Sequence, residues 1–255
     1  MSNNRLGIHV GVIWPEQPTE LETKEARSFL PNRGYTLHHT KPPNYSEHAE
    51  TGISLDLVRS LVESKQIERA AAGFAYSGLA AISYACTSAS YVRGLGGDID
   101  ISSRINAVTG AKSSTTSTAM LKGLNCLNVK NVAVLSPHIK PINDLLVDFL
   151  ESGGVKVCKL TGLGMAEDID KLDPNAIRSL IGSDVDESEA DGIFVSCTSM
   201  RLAEVIDDLE KDINKPVITA LQATIWDLLT ISGWDGFVPD RGVLMNDKRH
   251  VERVL

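Results

Sequence analysis

Ser83-Tyr84-Ala85-Cys86-Thr87-Ser88-Ala89-Ser90 has a second copy in Phe194-Val195-Ser196-Cys197-Thr198-Ser199-Met200-Arg201. In both, an apolar run of strand length ends in Cys-Thr-Ser, and the residues after it read as helix. A little under half the chain separates the copies. That is the spacing a duplicated α/β lobe produces, with each cysteine at the matching strand end.

The flanking sequence follows the same alternation. Residues 6–14, 79–85, 131–136, 155–160, 191–196 and 216–220 are short runs rich in Val, Ile and Leu without polar alternation, the pattern of strands buried on both faces. Amphipathic segments at 55–68, 114–127, 141–152, 174–181, 199–211 and 223–231 lie between them. Asp173-Pro174 suits a helix start and Gly153-Gly154 a helix stop. Strands alternating with helices predict an α/β fold of parallel sheets with helices on both faces. Residues 15–46 carry Pro15, Pro18, Pro31, Pro42 and Pro43. They read as a loop with one short strand at 35–39, placed at the carboxyl edge of the sheet, where ligands bind.

A thiol at a strand-to-helix junction faces the free N–H groups of the helix start, which stabilise an anion. The expectation is a thiol pKa drawn from about 8.5 toward neutrality. Thr87, Ser88, Thr198 and Ser199 add hydroxyl and amide donors suited to a substrate carboxylate or an enolate oxygen. Two such junctions related by pseudo-symmetry would put one thiol on each side of a planar carbon, one attacking or removing a proton while the other donates. Cys126 and Cys158 lack that context and read as small buried hydrophobes.

Composition narrows the function classes. The 255-residue chain is 42% hydrophobic and 23% charged, an ordinary globular balance. A net charge of -8 leaves no basic surplus for phosphates, so no nucleic-acid partner is expected. The polar stretch 1–5 lacks the pattern of a secretory signal, and no apolar stretch approaches spanning length, so no membrane partner is expected. The four cysteines are widely spaced without a C-x-x-C pair. They predict no zinc site, no disulfide framework and a reducing cytoplasm.

At these residues the chain resembles the maleate cis-trans isomerase and arylmalonate decarboxylase branch of the aspartate/glutamate racemase superfamily. The resemblance rests on Gly11-Val12-Ile13-Trp14-Pro15, on Cys86-Thr87-Ser88, and on the strand 132–137 ending in Ser-Pro. It continues through Gly162-Leu163-Gly164 and Ser196–Arg201, and ends at Lys215-Pro216-Val217 with Gln222-Ala223 and Trp226, which is similar to the family's K-P-V-x-x-x-x-Q-A-x-x-W signature. It implies two pseudo-symmetric flavodoxin-like lobes, residues 1–117 with 221–255 and residues 118–220, and an active site in the cleft between them. It also implies a small carboxylate-bearing substrate, homo-oligomeric assembly, and no metal, flavin or pyridoxal cofactor. Isomerases and racemases of the branch carry both cysteines, decarboxylases only the second. By that analogy Cys86 is the nucleophile that adds to an alkene carbon, and Cys197 supplies or removes the proton.

Three positions depart from the isomerase pattern. Where that pattern holds substrate carboxylates with Asn, Tyr and Asn, this chain aligns Pro18, His138 and Asp168. Pro18 has no side-chain donor and an ionised Asp168 repels carboxylates. His138 can still donate. A ligand other than maleate is expected, less anionic or carrying an amine. Among weaker features, Arg201 falls in the first turn of the predicted helix, open to a carboxylate or to solvent. Trp14 reads as pocket wall or core, His38-His39 as solvent-exposed, residues 184–189 as a charged loop, and 113–117 as the capped start of a helix. Two rival readings stay open: a malonate decarboxylase using Cys197 alone, and a ligand-binding protein that lost catalysis.

Overall fold

The computed structural model describes residues 7–43, 52–186 and 189–246. The reading of residues 1–5 as lacking a secretory signal lies outside them, as does part of the charged stretch 184–189, of which 184–186 close a helix.

Two four-stranded parallel sheets organise the chain. The first holds β1 (Ile8–Ile13), β2 (Tyr35–Thr40), β3 (Ala81–Tyr84) and β4 (Lys112–Thr115) in the order β2-β1-β3-β4. The second holds β5 (Asn131–Ser136), β6 (Lys156–Gly162), β7 (Gly192–Val195) and β8 (Val217–Thr219) in the order β6-β5-β7-β8. The orders are identical once renumbered, so the doubling read from the sequence is a doubling of topology. Register repeats as well: Ile13 pairs with Tyr84 at the end of β1–β3, and Leu135 with Val195 at the end of β5–β7. Cys86 and Cys197 each stand two residues beyond that last pair. In both sheets the chain reverses its winding at this strand pair, the crevice where open α/β sheets bind ligands.

Helices α1 (Glu20–Ser28), α2 (Leu55–Glu63), α3 (Gln66–Ala72), α4 (Thr87–Tyr91), α5 (Gly97–Thr109) and α6 (Thr116–Cys126) accompany the first sheet in chain order. Helices α7 (Lys140–Ser152), α8 (Pro174–Asp186) and α9 (Ile206–Ile213) accompany the second. The chain then forms α10 (Ala220–Ile231) and α11 (Val243–Asn246). Helix α10 packs on α6, β3 and β4 of the first sheet. Buried Asp227 fastens it there, pairing with Lys122 Nζ at 2.9 Å and accepting a short hydrogen bond from Ser114.

Several expected elements differ, each for a local reason. The proline-rich stretch 15–46 contains α1, held by a Thr19–Glu22 capping box. The segment 55–68 breaks at Ser64-Lys65 into α2 and α3. The Ser/Thr run 113–117 is chiefly the end of β4, and Thr115 then caps α6 by accepting the Thr118 N–H. Helix α9 begins at Ile206, not near Ser199; Arg201 therefore lies in no helix. Its guanidinium donates to the Asp170 and Leu172 carbonyls at 3.0 and 3.4 Å.

The signature residues at the chain's end are structural. Thr219 and Gln222 form the capping box of α10, and Gln222 Nε2 also donates to the Arg241 carbonyl at 2.7 Å. Trp226 is core. Gly11 on β1 is dictated by crowding, since a Cβ there would stand 2.6 Å from Leu79 Cδ1 and 2.8 Å from Phe74 Cε2. Trp14 is also core, 2% exposed, and donates from Nε1 to His39 Nδ1 at 3.0 Å. His38-His39 is therefore not a solvated pair: His39 is half-buried, and His38 Nε2 meets His9 Nδ1 at 2.8 Å. Cys126 and Cys158 are half-buried rather than fully enclosed, and the Cys158 thiol donates to the Val132 carbonyl at 3.3 Å.

Candidate active site

Cys86 is the N-cap of α4 in extended backbone, with its sulfur 3.9 Å from Ser88 Oγ. Cys197 follows β7 by two residues, but no helix starts there. Its backbone has φ +78°, a left-handed conformation uncommon outside glycine, and the chain turns through 197–200 instead. The two junctions are alike in sheet position and unlike in local backbone.

Each thiol belongs to the packed core of its own sheet, with 9% of Cys86 and 8% of Cys197 exposed. The boundary between the two sheets separates them. Charge on Cys86 bears on Cys197, and buried Tyr91 is close enough to both thiols to be pushed up by each, after the larger effect of its own burial. The Tyr91 hydroxyl donates to the Ile142 carbonyl of α7 at 3.3 Å, so it spans that boundary.

Burial reverses the thiol acidity expected from the sequence. Desolvation pushes Cys86 up, and the Ala89 N–H and Ser88 hydroxyl only partly offset it, while Glu16 adds to the rise. The Ala89 N–H bears on the sulfur without closing a cap hydrogen bond. Desolvation likewise carries Cys197 to about 12; the Ser199 N–H and hydroxyl lower it, and Cys86 and Glu22 raise it further. A five-residue helix is too short for its N-terminus to outweigh the loss of solvent around a sulfur anion.

Thr87, Ser88 and Thr198 are buried beside the thiols, and Ser199 is half-buried. Thr87 Oγ1 has no hydrogen-bond partner among the described residues. The three substituted positions do not share one cavity. Pro18 immediately precedes Thr19, the N-cap of α1. Asp168, exposed and paired with Lys171 at 2.8 Å, lines a hollow of about 280 Å³ together with Glu16, Glu22, Asp170 and Ser199. His138 lines another, of about 480 Å³, with Lys140, Asn143 and Gly162. It is 2% exposed, and burial takes it down to about 4, so the ring is neutral at pH 7.

Helix α1 brings residues that sequence reading missed. Glu22 Oε1 accepts the Ser199 hydroxyl at 2.5 Å, and Glu25 Oε1 accepts the N–H groups of Leu202 and Ala203 at 2.7 Å each. Two carboxylates one helical turn apart thus hold the segment that follows Cys197. The Thr19-x-x-Glu22 spacing was the available signal for this helix. Tyr91 had none beyond its closeness to Cys86 in sequence.

No group of three or more His, Cys, Asp or Glu side chains among the described residues is arranged to hold a metal ion. The arrangement offers two buried thiols within electrostatic reach of one another, a hydroxyl-rich surround and an acidic margin. That is the equipment for covalent addition and proton transfer at a small molecule.

Comparisons with known proteins agree with this architecture. The maleate isomerase of Geobacillus stearothermophilus is 21% identical over 255 aligned residues, covering 94% of this chain and 98% of that one. The arylmalonate decarboxylase of Bordetella bronchiseptica is 29% identical over 159 residues, 61% of this chain and 66% of that one. Among solved structures, a cysteine-to-serine variant of Nocardia farcinica maleate cis-trans isomerase, carrying a covalently bound succinylcysteine intermediate, superposes with a TM-score of 0.82 at 20% identity, over 94% of this chain and 98% of that one. The family model for arylmalonate decarboxylase matches residues 51–245, well over half of the sequence. With the doubled sheet and the paired thiols beside it, that match shows that this chain belongs to the arylmalonate decarboxylase family.

Proposed function

We propose that the protein is a cofactor-independent, maleate-isomerase-like enzyme acting on a small unsaturated carboxylate-bearing compound. The observation that carries this reading is the pair of thiols at equivalent strand ends, both within electrostatic reach of Tyr91. Cys197, held near 12, is a thiol at neutral pH and serves as the acid. Cys86 passes its proton to a carboxylate oxygen of the bound substrate and adds as thiolate to one alkene carbon, while the Cys197 proton passes to the neighbouring carbon. The carbon–carbon bond, now single, rotates. Cys197 takes a proton back as the carbon–sulfur bond breaks, the substrate carboxyl returns its proton to Cys86, and the trans isomer leaves. The succinylcysteine of the Nocardia farcinica structure is an adduct of this kind in that protein.

The ligand is proposed to be less anionic than maleate or to carry an amine. Glu16, Glu22, Glu167, Asp168 and Asp170 line the hollow at Ser199, and no Lys, Arg or His is among its lining residues. Crowding shows at Glu16, exposed along one edge yet pushed up by burial first and by Glu22 and Asp170 next.

Trapping tests the mechanism. Cys197→Ser incubated with cis-unsaturated monoacids, diacids and amino acids should accumulate an adduct of the intact acid on the Cys86 peptide. Absence of any adduct with an acid that the unmodified enzyme isomerises would sink it. A decarboxylase reading is favoured by the family match and by the Bordetella bronchiseptica relative, and release of carbon dioxide on turnover decides for it.

A cytoplasmic location and a homo-oligomeric assembly are proposed as well. The first is supported by the four free cysteines. The second is supported by Leu95 and Ile99, 55% and 53% exposed beside an apolar hollow with Leu121 and Cys126. Fractionation and native mass measurement test them.

A further inference from the structure

We propose that Glu22, reaching over from α1, is a positioning residue that keeps Cys197 in its thiol form by drawing the Ser199 hydroxyl proton away from the sulfur. The inference deepens the two-thiol reading above by saying what fixes one of the pair as the acid.

The two oxygens of Glu22 have different duties. Oε2 accepts the Thr19 N–H at 2.7 Å and closes the capping box of α1. Oε1 accepts the Ser199 hydroxyl at 2.5 Å, the length of a charge-assisted O–H···O⁻ bond. A serine hydroxyl has one proton to give. While that proton lies on the line to Glu22, the face of Ser199 Oγ left for Cys197 is a lone pair. A lone pair accepts from S–H and repels S⁻. Ser199 lies beside the Cys197 sulfur, and its hydroxyl favours the anion whenever its proton turns there.

The titratable groups around Cys197 act in the same direction. Cys86 bears on it from the β3–α4 junction, Tyr91 from the end of α4 and Glu22 from α1, and Glu16 stands beside Glu22. All four are acids, so each disfavours a second negative charge. Glu22 is 9% exposed, and its charge is poorly screened at this distance from bulk water. During turnover the proton moves from Cys197 Sγ to substrate carbon and later back. Rotation of the Ser199 hydroxyl from Glu22 to the sulfur stabilises the transient thiolate, and its return to Glu22 restores the acid.

Glu22→Gln tests this directly. The Thr19 N–H can only donate, so the amide oxygen stays with it and the amide NH₂ turns to Ser199 Oγ. Ser199 must then accept, and its hydroxyl proton is released toward Cys197. The measurement is the pH dependence of iodoacetamide alkylation, read separately on the Cys86 and Cys197 peptides by mass spectrometry. The expected result is a Cys197 profile displaced downward by about one pH unit, or about tenfold faster alkylation at a fixed pH below its midpoint. Cys86 should move much less, and the alkaline limb of the turnover profile should shift down with Cys197. In a Ser199→Ala background the Glu22→Gln displacement should shrink to the smaller part that comes from losing the Glu22 charge itself. If Glu22→Gln melts early, Glu22→Asp, which withdraws the carboxylate from Ser199, should displace Cys197 in the same direction. An unmoved Cys197 profile, equal displacement of both thiols, or a displacement undiminished by Ser199→Ala would each overturn the proposal. Alkylation needs no substrate, so this result is distinct from failure of the two-thiol mechanism, which would show as turnover surviving Cys86→Ala.

Discussion

Glu25 of α1 and Ala203 beyond β7 are joined across the boundary between the sheets. The Ala203 N–H donates to Glu25 Oε1 at 2.7 Å, and the Leu202 N–H donates to the same oxygen at the same distance. These are orphan donors at the approach to α9, and a side chain from the other half of the molecule satisfies them. Glu25→Ala should leave both N–H groups buried without an acceptor, at about 3 kcal/mol in total. Calorimetry should show an earlier melt, and Glu25→Gln, whose amide oxygen can accept both bonds, should recover most of it. A melt of Glu25→Ala at the parent temperature would mean the two halves are held elsewhere.

The thiols should be separately indispensable. Cys86→Ala and Cys197→Ala are each expected to cut turnover by about a thousandfold or more, since one removes the nucleophile and the other the proton donor. Each should melt within about 1–2 kcal/mol of the parent, because a small buried side chain is traded for a smaller one. Near-parental turnover in either variant would contradict the mechanism.

Acid should weaken the fold through His138. Its folded value of about 4 lies below the unfolded value of about 6.5, so the unfolded chain binds more protons between those limits. Stability attributable to this ring is intact above about pH 6.5 and drains away as pH falls toward 4, by about 3 kcal/mol. Urea titrations of His138→Asn from pH 7 to 4 should show a flatter decline than the parent. Parallel declines would place the acid sensitivity elsewhere.

Gly11→Ala probes packing between β1 and the segment that leads into β3. Its methyl would fall within 3 Å of Leu79 Cδ1 and Phe74 Cε2. A cost of about 1–3 kcal/mol is expected. Shortening Leu79 to Ala in the same protein should relieve part of it, a coupling that a double-mutant cycle measures.

What could be read from the sequence was what depends on a continuous apolar run. The strands that lead to Cys86 and Cys197 are such runs, and their repetition predicted the paired sheets. Helix α1 was hidden because Glu20–Ser28 is mostly charged and lies between prolines; it is specified by a cap and by partners across the boundary. Strand β4 was hidden because Lys112-Ser113-Ser114-Thr115 has the composition of a turn, although Ser114 and Thr115 are buried. The missing helix start after Cys197 is a tertiary effect: Glu25 takes the N–H groups that a first turn would have organised. Thiol acidity was misjudged for a related reason. A helix start is visible in sequence, whereas the depth of burial that overrules it is not.

The shared overhang of the two cysteines has a consequence for how this molecule can change. Successive residues of extended backbone alternate sides, so a one-residue insertion or deletion between Tyr84 and the extended Cys86 would turn that sulfur to the wrong side of its sheet, and one between Val195 and Cys197 would move the second sulfur out of its left-handed turn. Exposed connections of either half can vary in length at little cost, but these two-residue stems are fixed, and drift in one half cannot be corrected by drift in the other.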